Sequence, residues 1–336
     1  MDRRHILQAG GAMAARASIP GAALLSSASV QAQGSPLPVR FTCGANLTYT
    51  NLYVAEGAGL FRKHGIDGRV VLFDVAFQGT EAMLAGQAES AATVEFPLVN
   101  YLARGADLIV PAVMVEAHDL RIVTLKTVTK PEDLVGKKVG LIMGSTAHFG
   151  FDRYVRHFKL PHNKVQVLNV PAAEQVALFA KGDIDAYVWV EPVASRGLEV
   201  MKGKAHILTP GLETVMKGRI YLQVMRAWAE KNPAGVSAIL RALIEANEFI
   251  KKNPERTAEI AGKKLNLPPS QVPELIRLGA WDWDVTLDAG VLPVFDDVIA
   301  WMKDTKRLAG DAPDFRRAFA PSYLRGVDPS RVRWTA

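Results

Sequence analysis

A small polar turn, Gly144, Ser145 and Thr146, stands between a strand predicted over residues 138–143 and a helix predicted to open at Ala147 or His148. A strand that stops in such a turn and passes straight into a helix leaves first-turn backbone N–H groups without intrahelical acceptors, all pointing at one spot. The helix dipole adds partial positive charge there, so the spot is a seat for a small anion. Ser145 and Thr146 either cap the helix or donate their hydroxyls into a cleft, and one residue can do both. His148 either donates to the anion or packs inside the first helical turn.

Further along, the run Gly182-Asp183-Ile184-Asp185-Ala186-Tyr187-Val188-Trp189-Val190-Glu191-Pro192 holds a strand predicted over residues 186–190. Trp189 at its end is either an apolar wall for a ligand or part of the core. Glu191 either accepts from a ligand amine or closes a hinge by bonding to an opposite lobe. In the N-terminal half, the turn after a strand over residues 39–43 offers Asn46, Tyr49, Thr50 or Asn51 to the same cleft. Glu95 and Phe96 follow a third strand, and a carboxylate facing the cleft there would repel an anion beside it. Either Glu95 faces away, or it takes the cationic end of an amine-bearing ligand, or it pairs with the ring nitrogens of a pyrimidine stacked on Phe96 or Trp189.

Several chemistries are excluded. The seven histidines include no pair with metal spacing on one helix face, since Leu160-Pro161 separates His157 from His162. No phosphate-binding loop, dinucleotide fingerprint or Ser-His-Asp signature occurs, so neither metal nor cofactor is expected. Lysine and arginine are dispersed, which argues against nucleic acid. Cys43 is the only cysteine; it rules out an intramolecular disulfide and reads as a buried strand residue. Trp281-Asp282-Trp283-Asp284 is expected to pin the C-terminal helices onto a lobe.

The elements that must position these residues alternate strand and helix. Strands over 39–43, 70–74, 90–94 and 108–115 enclose helices over 52–64, 79–85 and 97–104, the last with Pro97 in its first helical position. A crossing strand over 120–126 leads to a second unit with strands over 138–143, 165–170 and 186–190 and helices over 148–158 and 172–181. A strand over 221–226 returns, and an amphipathic helix after Pro233 opens a helical remainder. The alternation predicts an α/β fold with parallel sheets in two lobes joined by two crossovers, residues 37–125 plus 222–325 forming one and residues 126–221 the other. The cleft between them, at helix N-termini and strand C-termini, is the expected ligand site. Residues 1–32 read as a cleaved export signal of twin-arginine type, with Arg3-Arg4 ahead of a Gly/Ala-rich run and Val30-Gln31-Ala32 at the cut. Its removal lowers the net charge from +6 to +4. No later run is apolar and long enough to cross a bilayer as a helix.

Four motifs, taken in order, carry a resemblance: Ala55-Glu56-Gly57-Ala58-Gly59-Leu60-Phe61; Gly79 followed by Leu84-Ala85-Gly86-Gln87-Ala88; Lys130-Pro131-Glu132-Asp133-Leu134-Val135-Gly136-Lys137-Lys138-Val139; and Gly182-Asp183-Ile184-Asp185-Ala186. Over residues 41–260 the chain resembles the nitrate/taurine/sulfonate group of ABC-importer substrate-binding proteins. The resemblance implies a type II periplasmic binding fold and a monomeric periplasmic receptor rather than an enzyme. It implies a receptor that closes its lobes on a small organic anion and delivers it to a membrane permease and its ATPase. Gly144-Ser145-Thr146-Ala147-His148 and Tyr187-Val188-Trp189 look closest to the taurine and alkanesulfonate binders, and Gly79 joins the ligand-binding set on the same ground. A sulfonate keeps its single charge at any periplasmic pH and its three oxygens only accept, so converging donors suit it without an arginine. The chain departs from the pattern at Thr93-Val94-Glu95-Phe96-Pro97, where sulfonate binders tend to carry a Gly/Ser-rich turn. That departure keeps a pyrimidine, nitrate or an aromatic carboxylate open as ligands, and with them an enzyme of the same fold acting on a pyrimidine or an aromatic acid.

Overall fold

The computed structural model describes residues 35–308 and 311–334, so the expected export signal lies outside the described residues. From the N-terminus run β1 (Leu37–Gly44), α1 (Thr50–Gly57), α2 (Leu60–Lys63), β2 (Ile66–Phe73), α3 (Ala76–Leu84), β3 (Ser90–Thr93), α4 (Glu95–Ala103) and β4 (Leu108–Ala117). The middle of the chain holds β5 (Arg121–Leu125), β6 (Lys138–Leu141), α5 (Thr146–His157), β7 (Gln166–Asn169), α6 (Ala172–Lys181), β8 (Ala186–Trp189), α7 (Val193–Val200) and β9 (Ala205–Ile207). Then come β10 (Gly218–Met225), α8 (Arg226–Lys231), α9 (Pro233–Lys252), α10 (Pro254–Leu265), α11 (Val272–Gly279), α12 (Leu292–Asp304) and α13 (Pro321–Val327).

Two five-stranded sheets result, in the orders β2-β1-β3-β10-β4 and β7-β6-β8-β5-β9. Both are mixed rather than parallel throughout. β10 runs antiparallel to β3 and β4, and β5 runs antiparallel to β8 and β9. The reason is connectivity: each of these strands arrives from the other lobe, so it starts where its neighbours end. Sheet membership also moves the expected lobe boundary, because residues 121–125 pair in the second sheet and β10 is in the first from Gly218 onward. The crossings are therefore residues 118–120 and 215–217.

Each sheet has its own core. Phe41 stacks on Phe61 at 4.5 Å in the first, where α9 buries Val236, Ile239, Leu240 and Leu243 at helical spacing. Ile122, Val139, Leu141, Phe151 and Tyr154 fill the second. The helix expected over 52–64 is two helices, because Gly59 takes a left-handed conformation (φ +72°) that ends the first and starts the second. α4 begins at Glu95, two residues ahead of Pro97, which is its third residue and not its first.

Several residues expected at the cleft belong instead to the first core. Thr50 donates to the Leu47 carbonyl at 2.6 Å, and Asn51 donates to the Met114 carbonyl at 3.3 Å; both are fully buried. Gly79 packs on β1, where Thr42 donates to its carbonyl and a Cβ would stand 2.9 Å from Thr42 Cβ. Phe96 meets Trp301 edge-on at 5.5 Å. Glu95 turns into the core and accepts from the Tyr221 hydroxyl at 3.3 Å. Burial pushes its carboxyl up to about 7.

Two outcomes test this assignment. Gly79→Ala forces Thr42 and β1 apart and should cost about 1–3 kcal/mol in urea denaturation while leaving ligand affinity unchanged. For Glu95, the folded chain holds the proton more tightly than the unfolded one, whose carboxyl titrates near 4.5. Its stabilising effect is therefore complete below that value and is lost as pH rises through about 7, by on the order of 3 kcal/mol. Glu95→Gln should flatten stability between about pH 5 and about pH 8; a variant that keeps the wild-type slope places the effect elsewhere.

Candidate functional site

The C-terminal ends of β1, β2, β3 and β4 face those of β6 and β8, and between them lies a cavity of about 140 Å³. The crossing residues His118, Asp119 and Leu120 close one side. Three helices open onto it: α3 through Val75, Ala76 and Phe77, α4 through Val94 and Pro97, and α5 through Ser145, Thr146 and Ala147. The N–H groups of Ala76, Phe77, Thr146 and Ala147 lie in first turns and have no intrahelical acceptor. The cavity thus faces the positive ends of helices from both lobes.

Ser145 is the N-cap of α5. Its Oγ donates to the Ile142 carbonyl at 2.6 Å and accepts from His148 N–H at 3.4 Å, so its hydroxyl proton is committed to the turn. Thr146 differs: its Oγ1 is buried and has no partner among the described residues. Thr93, at the end of β3 in the opposite lobe, presents a second such hydroxyl and is itself fully buried. Other buried hydroxyls are also unpaired, those of Thr80, Ser195 and Thr257, but they do not line the cavity. Thr93 and Thr146 do, one from each lobe.

Of the residues singled out in the sequence, Asn46, Ser145, Thr146 and Trp189 line the cavity together with Tyr49. Asn46 caps the turn after β1 by accepting from Thr48 N–H at 3.0 Å. Trp189 forms an apolar wall and also packs on the second lobe's cores. Thr50, Asn51, Gly79, Glu95 and Phe96 are absent from the lining for the packing reasons given above. His148 lies behind the turn, where its Nδ1 accepts from Gly144 N–H at 3.1 Å. Burial and then the Arg307 guanidinium push its pKa down to about 4, so the ring is neutral with its proton on Nε2. Glu191 is also buried away from the cavity; it accepts from Ser195 N–H at 3.0 Å, and burial raises its carboxyl.

Sequence reasoning passed over Thr48, Thr93, Asp119, Glu213 and the stretch 74–77. One signal was available for the last of these: a strand ending at Phe73 runs through a short turn into a helix, as at residues 142–146, but without Gly, Ser or Thr to mark it. Asp119 has no local signature. It is positioned by tertiary contacts, with Oδ2 accepting from Thr48 Oγ1 and from Trp281 Nε1, both at 2.8 Å. Burial raises its carboxyl, and those two donors work against the shift. Glu213 accepts from Gly211 N–H at 3.0 Å.

The electrostatic balance is unusual for an anion seat. Asp74, Asp119 and Glu213 line the cavity, and among the described residues no lysine or arginine does. Positive potential comes from helix ends at one part of the surface, and carboxylates stand at another. Such an arrangement can orient a small molecule carrying both signs of charge. Among the described residues no group of three His, Cys, Asp or Glu is placed to hold a metal.

The sequence profile of the family described as NMT1/THI5 like matches residues 46–257. An Escherichia coli (strain K12) protein named "Putative aliphatic sulfonates-binding protein" is 25% identical over 321 residues, 92% of this chain and 97% of its own length. The taurine-binding periplasmic protein of the same strain is 29% identical over 219 residues, 61% of this chain and 67% of its own. In fold, the crystal structure of the periplasmic aliphatic sulphonate binding protein SsuA from Escherichia coli superposes with a TM-score of 0.74 at 21% identity, covering 84% of this chain and 97% of that one. The two mixed sheets and their crossings are thus those of a type II periplasmic binding protein. With the family profile spanning most of both lobes, the chain belongs to the NMT1/THI5-like family.

Proposed function

We propose that this protein is the periplasmic substrate-binding component of an ABC importer, and that it captures a small sulfonate bearing an amine, taurine being the simplest of that class. The observation that carries this reading is the pair of buried, unpartnered hydroxyls on Thr93 and Thr146, residues that line one cavity from the two lobes beside the first-turn N–H groups of α3 and α5. An unpaired buried hydroxyl is costly, and a ligand with three acceptor oxygens removes that cost at both walls at once. The relatives named for sulfonates and taurine support the same class. Asp74, Asp119 and Glu213 favour a ligand that also carries a cation, and the lack of a lining lysine or arginine among the described residues disfavours one with two negative charges.

Binding rather than turnover is the better reading. A hydroxyl nucleophile needs a base hydrogen-bonded to it, and neither Thr93 nor Thr146 has any partner among the described residues. Delivery to a permease, and export across the inner membrane before that, follow from the same reading.

Calorimetric titration of the wild-type protein with taurine, ethanesulfonate, nitrate, a pyrimidine and benzoate tests it. Taurine should bind more tightly than ethanesulfonate, which lacks the ammonium. Thr93→Val and Thr146→Val each remove one hydroxyl at nearly constant shape and should each weaken taurine binding by roughly tenfold, or about 1.4 kcal/mol, with the melting temperature preserved. A wild-type protein that ignores both sulfonates and binds the pyrimidine or benzoate would defeat the proposal.

A further inference from the structure

Helix α5 has two working faces. Ala147, Phe151, Tyr154 and Val155 bury on the second lobe's core. Phe149, Asp152, Arg153 and Arg156, spaced i, i+3, i+4 and i+7, turn instead to α12 of the first lobe. Trp301 stands at the centre of that contact. Its Nε1 donates to Asp152 Oδ2 at 3.0 Å, and its ring meets His148 and Phe149 edge-on at centroid distances of 5.2 and 5.5 Å. Phe96 of its own lobe braces the ring from another side. Asp152 is nearly buried and is held in place by donors from its own lobe, Arg156 Nε at 2.8 Å and His162 Nε2 at 2.9 Å. Beyond α12, Arg307 reaches the turn that seats the anion, its Nη1 lying 3.7 Å from where a side chain on Gly144 would begin.

We infer that Trp301 is a positioning residue for ligand capture: through Asp152 and His148 it fixes the first two turns of α5 against the first lobe, and the α5–α12 contact is the latch that holds the cleft closed. The inference rests on the reading of the cavity as the ligand site. Thr146 and the free N–H groups lie in the first turn of α5, and the latch grips the same helix between its third and eleventh residues. A helix moves as a rigid piece over that length, so seating the ligand and engaging the latch are one movement. The contact lies outside the two crossings and must separate if the lobes swing apart. Two further ion pairs, Arg153 with Asp297 at 2.7 Å and Arg156 with Asp304 at 3.8 Å, sit at its solvent edge, where water and salt weaken them. They guide the approach; the buried Trp301–Asp152 bond holds it. Because apparent affinity scales with the fraction of molecules in the binding-competent state, a weaker latch should appear as faster release.

The test uses the full mature chain. Cys43 is buried and is the only cysteine, so cysteines introduced at the exposed Arg104 and Lys181, one on each lobe, can be labelled selectively. In the ligand-free protein, Trp301→Phe should shift the interlobe distance distribution between the labels toward longer separations. In stopped-flow with taurine, the same variant should dissociate about tenfold faster with association unchanged. Asp297→Asn with Asp304→Asn, which cut the two edge ion pairs at their exposed partners, should speed dissociation at low salt and less so at high salt, in a protein whose Trp301–Asp152 contact is untouched. Distances and dissociation rates equal to wild type in both variants would overturn the latch. If the wild-type protein does not bind taurine, the proposed ligand class fails on that result, and the label pair decides the latch alone: a lengthened distance upholds it and an unchanged one overturns it.

Discussion

Backbone N–H groups that no helix can satisfy are the constraint on which the site depends. In a parallel strand–turn–helix unit the strand ends and the helix begins at the same edge of the sheet, so each repeat of the unit points more unpaired donors toward that edge. Two sheets built this way and set edge to edge bring helix N-termini to one region, each adding partial positive charge there. Here that region is bordered by α3 and α4 from one sheet and α5 from the other. Under the proposed reading it explains how a cavity lined by three carboxylates and, among the described residues, by no lysine or arginine can take an anion: the partial charge is supplied by main chain that cannot be titrated or mutated away. The carboxylates are then free to act on a different part of the ligand.

The crossings depend on a related economy of buried charge. Asp119 sits where the chain leaves the first sheet, and its Oδ2 receives one donor from the turn after β1 and one from the segment after α11. Trp283 from that same segment donates to the Thr48 carbonyl at 3.1 Å, and Asp282 exchanges backbone hydrogen bonds with Glu116 at the end of β4. The Trp-Asp-Trp-Asp run thus clasps the crossing from outside while Asp119 ties it from within. A carboxyl group this deeply buried is tolerable only because its donors are in place.

How much of this could be read from the chain follows a physical division. Local rules carried the strand–helix alternation, the end of α6 at Lys181 and the strand–turn–helix passage around residues 144–146, because periodicity and capping act within a few residues. The parallel sheets expected from that alternation came out mixed, since β5 and β10 take their direction from the lobe they leave, a fact no local window contains. Site residues divided in the same way. Ser145, Thr146, Trp189 and Asn46 follow or end strands and line the cavity. Glu95 sits at a strand end too, yet its side chain turns inward to Tyr221, and sequence carries no mark of which way a residue at the first position of a helix will point. Thr93, which lines the cavity two residues before Glu95, has no local mark in the sequence that sets it apart from an ordinary strand residue.

The geometry also implies that neither lobe alone is a binding site. Thr93 and the α3 donors belong to one sheet, Thr146 and the α5 donors to the other, and a ligand with three acceptor oxygens cannot satisfy both sets while the walls stand apart. An open cleft therefore leaves each half of the donor set to water, which is a competent partner, and the gain on binding comes only when both halves converge and water is excluded. Affinity in such a design is set less by the strength of any one hydrogen bond than by how readily the walls meet. The surface that governs that meeting is not the cavity lining but the packing behind it, where α5 turns its outer face to α12. Binding strength in this fold is therefore open to change through residues such as Trp301 that never touch the ligand.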